Sequence, residues 1–208
     1  MTTPAKKSAP APSFDSSPIV TEIVEHQQSL LPFTRAYLGA TNLDIGCGSG
    51  ITSAVHHREL GLAPTLCDVA DFRHELARRF PFFLLTSGPL PVPQKSFASS
   101  YFQYVLHHLP SGNHVADLLA EAHRVSRRII IVEEIATPGT DVVRARAFDQ
   151  EVNARLHSGV SMPVHKYYSR EEIEQLLKNL GHSILSHAVV WSGSPANGFL
   201  ETQVFCSE

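Results

Sequence analysis

Cysteine is scarce. Three among 208 residues, Cys47, Cys67 and Cys206, form an odd set with no close pair. That spacing excludes a disulfide framework and a CxxC metal knuckle, and it suits a reducing cytosol, so a cytoplasmic location is expected. Long apolar runs are also missing. The longest stretches, such as Phe80 to Leu85 and Ile129 to Val132, fall far short of the ~20 residues that a membrane-spanning helix needs. Positive charge is not in excess: seventeen basic and twenty acidic side chains leave a formal charge of −3 and a pI near 6.4. A protein that grips a duplex normally carries a basic stripe, so nucleic acid is not an expected partner. The opening residues lack the apolar core of a secretory signal.

What remains has the composition of a globular domain. Hydrophobic residues make up 43% of the chain, close to the roughly 45–50% of average soluble proteins. The length suits one domain. Residues 1–18 hold Pro4, Pro10, Pro12 and Pro18 among Ala, Ser and Thr. They offer too little apolar surface to repay their ordering entropy, so they are read as a flexible leader to a domain over 19–208. Helical patterning is expected over 19–38. From residue 40, strand and helix signals alternate: strands at 40–45, 65–69, 82–86, 99–105 and 128–133, helices at 51–60, 72–80 and 114–125. A further helix is expected at 142–156. Ser169 and Glu172 then form a capping box, and Ile173, Leu176, Leu177 and Leu180 make one apolar stripe. Strands at 183–191 and 199–205 follow. This order implies an α/β fold: a doubly wound, seven-stranded, mostly parallel sheet with an antiparallel C-terminal strand.

The segment Leu43-Asp44-Ile45-Gly46-Cys47-Gly48-Ser49-Gly50 joins an expected strand to an expected helix. Glycines there permit a tight turn and close approach of a ligand, and the first N–H groups of the helix face any negative group on it. Spacing separates the ligands. A dinucleotide fingerprint wants its third glycine where Ile51 stands, and a phosphate-gripping P-loop wants a Gly-Lys pair that is absent. Asp68 follows Gly50 by eighteen residues, at the end of the second strand. An acid placed there accepts hydrogen bonds from ribose hydroxyls; the alternative is an N-cap for a helix opening near Asp71. Cys47 reads as a small packed residue rather than a nucleophile. Twelve histidines include the adjacent pairs His56-His57 and His107-His108. Neighbours splay apart on a helix or strand, and no HxxxH or HExxH occurs, so no metal site is expected.

Asp44 to Gly50 resembles the first motif of class I S-adenosylmethionine (SAM)-dependent methyltransferases. Leu90-Pro91-Val92-Pro93 with Ser96-Phe97, then Val105-Leu106-His107-His108-Leu109, is similar to a stretch of the small-molecule branch, which includes ubiquinone and menaquinone methyltransferases. Arg124-Val125 and Tyr167 to Ile173 continue the likeness up to Gly181. Ala98 stands where the family has an Asp, and Arg127-Arg128 replaces a glycine turn. The resemblance implies methyl transfer from SAM, with S-adenosylhomocysteine as product, to a small and fairly apolar metabolite. It assigns Gly46, Cys47, Gly48 and Gly50 to the methionine and ribose side, Asp44 to support of the turn, and Asp68 with Val69 to the ribose. Thr86, Ser87 and Gly88 fall near the adenine, and Phe102, Gln103 and Tyr104 near the donor methyl. Residues 14–38 and 142–168 would roof the acceptor. His107 or His108 is the expected acceptor-side base, with His165 a competitor and a structural histidine the alternative. The departures from the family pattern support a second reading, a SAM-binding or scaffold protein without catalysis.

Overall fold

The computed structural model describes residues 17–86, 88–156 and 162–208; residues 1–16 of the expected leader, and Ser87, lie outside them. Pro18, assigned above to the leader, instead opens the first helix. Ser17 caps helix α1 (Pro18–Thr34) by accepting from Val20 N–H, with Pro18 in the first turn, where a missing N–H costs nothing. The chain continues through β1 (Thr41–Ile45), α2 (Ile51–Leu60), β2 (Ala63–Asp68), β3 (Phe82–Leu84), β4 (Phe97–Gln103), α3 (Gly112–Val125), β5 (Ser126–Ile135), α4 (Val142–Leu156), α5 (Arg170–Asn179), β6 (Ile184–Trp191) and β7 (Glu201–Ser207). No helix among the described residues is long and apolar enough to cross a membrane.

The seven strands form one sheet in the order β3-β2-β1-β4-β5-β7-β6. The first five are parallel, β7 runs antiparallel to β5, and β6 is antiparallel to β7. Helices cover both faces, and the period-two alternation of the central strands shows it directly. Ile129, Ile131 and Phe205 join the cluster under α3 and α5. Their neighbours Ile130, Val132, Val204 and Cys206 join the opposite cluster, with Leu30 of α1. Helix α5 opens with the expected capping box: Ser169 Oγ accepts from Glu172 N–H, and the Glu172 carboxylate accepts from Ser169 N–H.

One expected helix does not form. Residues 72–80 are a loop with a single 3-10 turn at Glu75–Ala77. His74 N–H donates to Ser49 O, and the Arg73 guanidinium reaches Phe80 O and lies over the Phe82 ring. Those tertiary bonds outweigh the helical spacing of Phe72, Leu76 and Phe80.

His56 of α2 is 1% exposed, edge-on to the Tyr101 ring at 4.9 Å. Neither of its ring nitrogens has a partner among the described residues. Burial lowers its pKa to about 4, against about 6.5 for a free ring. The stability contributed by the neutral ring is therefore complete above pH ~6.5 and is lost as pH falls towards 4, a difference on the order of 3 kcal/mol. Urea melts at pH 7 and pH 4 are expected to show the wild type losing that much more than His56→Phe. Parallel losses in the two proteins would refute the assignment.

Candidate active site

The bend between β1 and α2 rests on three left-handed glycines. Gly46, Gly48 and Gly50 have φ of 70°, 52° and 69°. A Cβ on Gly46 would stand 2.6 Å from Val105 Cγ2, and one on Gly50 would stand 2.6 Å from Ala77 Cβ and 2.7 Å from Leu66 Cδ2. Gly46 and Cys47 donate their N–H groups to Cys67 O at 2.9 and 3.1 Å, which pins the bend to the end of β2.

Asp68 ends β2 and turns back to this bend. Gly48 N–H donates to its Oδ2 at 2.8 Å, and Val69 N–H to its Oδ1 at 2.7 Å. Its carboxylate is thus committed to the glycine bend, and the N-cap reading fails because no helix opens near Asp71. Asp44 lies beneath, where its Oδ2 accepts from Ser53 Oγ at 2.7 Å. Burial pushes this carboxyl up to about 7, against the Ser53 hydrogen bond and with the help of the Asp68 charge. The Cys47 thiol is raised by burial and by both carboxylates, so it stays protonated and packed.

Other expected contacts are placed unevenly. Val69, Thr86 and Gly88 are exposed around the ends of β2 and β3. Phe102 needs correction: it is fully buried in the main core with Leu43, Ile45 and Leu106, so its side chain faces the interior rather than a ligand. Gln103 and Tyr104 do stand at the carboxyl end of β4. Gln103 Oε1 accepts from Tyr101 Oη at 3.0 Å and from Thr52 Oγ1 at 3.4 Å. Tyr104 holds φ of 55°, unusual for a residue with a Cβ and characteristic of functional turns. Its hydroxyl is 3.0 Å from His26 Nε2, and His26 in turn stacks on Trp191. Val20 of α1 packs against Cys47 and Ile51. Beside the bend, Ser49, Ile51, Arg73 and His74 line a cavity of about 350 Å³ together with Ile19, Val20 and Arg155.

Beyond Val105 the chain makes a 3-10 turn over Leu106–His108, and here the expectation of diverging histidines is overturned. The turn is a single short one, and the two Nε2 atoms approach to 3.0 Å. His107 is fully buried. Its Nδ1 faces Glu133 Oε1 of β5, and its Nε2 lies 3.2 Å from Asp149 Oδ1 of α4. Burial opposes charge on this ring, but Glu133 and Asp149 override it and push the pKa up to about 10. Both ring nitrogens already face carboxylates, so this geometry does not present His107 to an acceptor as a base. His108 is lowered by burial and by His107, and its Nε2 points into the same cluster. His165 contributes backbone here: its N–H donates to His107 O. Glu133 and Asp149 were not found from the sequence, because they lie 26 and 42 residues from His107 with no local pattern linking them.

The strand order, the glycine bend and the acid after β2 define a class I methyltransferase fold. Residues 43–129 match the family model described as a methyltransferase domain, and the fold is the one seen in SAM-dependent methyltransferases. Among solved structures, it is similar to a SAM-dependent methyltransferase from Methanosarcina mazei (19% identity, 85% of this chain and 96% of that chain, TM-score 0.67). It is also similar to geranyl diphosphate C-methyltransferase from Streptomyces coelicolor, solved with Mg²⁺, geranyl diphosphate and S-adenosyl-L-homocysteine (14%, 91% and 82%, 0.64). A third similar structure is the [4+2]-cyclase SpnF (15%, 88% and 79%, 0.64). No curated protein matches the sequence.

Proposed function

We propose that the chain transfers the methyl group of SAM to a small, largely apolar metabolite at the carboxyl ends of β1 and β4. The observation that carries this reading is the tie between Asp68 and the glycine bend. Two fixed N–H donors orient the carboxylate, and a carboxylate so oriented at the end of β2 accepts from ribose hydroxyls. Gly46, Gly48 and Gly50 then face the methionine part, Thr86 and Gly88 lie near the adenine, and Gln103 and Tyr104 lie near the sulfonium. The acceptor–methyl bond forms as the sulfur–methyl bond breaks, and S-adenosylhomocysteine leaves. Such an in-line displacement depends on approach and alignment, which can supply several kcal/mol. Helices α1 and α4 provide the roof. An acceptor with a large apolar part is supported by the geranyl diphosphate enzyme, whose substrate is of that kind.

A cyclase on the same fold shows that fold does not fix reaction. The deciding experiment is S-adenosylhomocysteine release from SAM across a panel of small phenols, isoprenoids and hydroxy acids. Acceptor-dependent release is expected. SAM binding with no release across the panel would favour the binding-protein reading, and no binding at all would end both.

A further inference from the structure

Three side chains from two elements, the 3-10 turn Leu106–His108 and helix α4, converge beyond the carboxyl ends of β4 and β5. We propose that His107, His108 and Asp149 bind a divalent first-row metal ion, zinc by preference, with positions left open for an oxygen atom of the acceptor. These residues already carry the outer contacts that such ligands need. His107 Nδ1 is held by Glu133 Oε1 at 2.5 Å, and His108 Nδ1 by the Pro163 carbonyl at 3.2 Å. Each ring is thereby turned with Nε2 inward, the way metal-binding histidines are oriented by a carboxylate or carbonyl on the other nitrogen. Asp149 Oδ2 accepts from Asn153 Nδ2 at 3.1 Å, while its Oδ1 faces the rings.

The three inward atoms stand 3.0, 3.2 and 3.9 Å apart, a set that could hold a metal ion. The circle through them has a radius of about 2.0 Å, and zinc bonds nitrogen and carboxylate oxygen at about 2.0–2.2 Å. An ion can therefore reach all three without their moving. Glu133 and Asp149 are 0% and 8% exposed, so the cluster is shielded from water. Tyr167, whose ring lies 5.5 Å from that of His107, adds a buried hydroxyl with no partner among the described residues. Two imidazoles with one carboxylate suit zinc or ferrous iron, whereas magnesium prefers oxygen alone.

Three protein ligands leave coordination positions free, as in catalytic rather than closed structural sites. The role of the ion in the reaction rests on the methyl-transfer reading. Val105, which seats on Gly46, precedes His107 by two residues, which joins the cluster to the bend through one short segment. A hydroxyl of the acceptor bound to the ion would release its proton to water more readily and present an oxygen anion to the methyl group.

The full chain, stripped with EDTA, would be titrated with Zn²⁺ against a chromophoric chelator and, separately, with Mg²⁺. One equivalent of tightly bound zinc is expected, with magnesium far weaker. His108→Gln and Asp149→Asn should each weaken zinc by about 100-fold, and Glu133→Gln by about 10–100-fold. Circular dichroism would confirm that each variant is folded. Co²⁺ in place of zinc should give visible absorption that His108→Gln loses. Wild-type protein that takes up no stoichiometric zinc overturns the proposal, and needs no variant to fold. Zinc uptake unchanged in both ligand variants also overturns it. Asp68→Ala should keep zinc while losing S-adenosylhomocysteine, so the metal site and the methyl-transfer reading fail separately.

Discussion

Asp68→Ala is expected to weaken S-adenosylhomocysteine binding by at least about 100-fold, measured by isothermal titration. A hydrogen bond to a charged group contributes about 1.5–3 kcal/mol, and each 1.4 kcal/mol is tenfold in affinity. Two ribose hydroxyls on one carboxylate therefore account for two or more orders of magnitude. Alanine also removes the acceptor for Gly48 N–H, so the bend loses its anchor. Asp68→Asn keeps the shape and loses the charge, and should fall between the two. Unchanged affinity in the alanine variant would remove Asp68 from the cofactor site and take the proposed pose with it.

A large stability effect is expected at Gly50. Gly50 and Gly61 both hold φ of 69°, so alanine at either position meets the same backbone strain, roughly 1–2 kcal/mol. The surroundings differ. Nothing lies within 4 Å of a Cβ at Gly61, whereas one at Gly50 would strike Ala77 and Leu66, and overpacking adds about 1–3 kcal/mol. Urea denaturation should show Gly50→Ala losing about 2–5 kcal/mol and Gly61→Ala only the strain part. Equal losses would mean that the contacts at Gly50 relax freely and that the close approach of bend and loop is not required.

Much of the fold was legible because local and global signals agreed. The capping box at Ser169 and Glu172 opened its helix as read, and the glycine bend sat between strand and helix. The loop over 72–80 was misread because Phe72, Leu76 and Phe80 carry a helical period, while the bond that ties His74 down comes from Ser49, distant in sequence. The site was half legible. Asp68 has a fixed offset from the bend set by the strand–helix–strand unit. The histidine cluster was hidden because the rule that neighbours diverge holds on regular elements, and Leu106–His108 is a 3-10 turn. Glu133 and Asp149 reach it only through the sheet and through α4.

The place of β7 between β5 and β6 also sets a schedule for the newborn chain. Until residues 201–207 emerge, β5 lacks its outer neighbour and presents Ile129, Ile130, Ile131 and Val132 beside an open ladder of backbone groups. About 65 residues separate the two strands, several seconds of translation at roughly 5–20 residues per second. An unpaired hydrophobic edge of that kind recruits other strands, so the interval on the ribosome is when this protein most needs a chaperone.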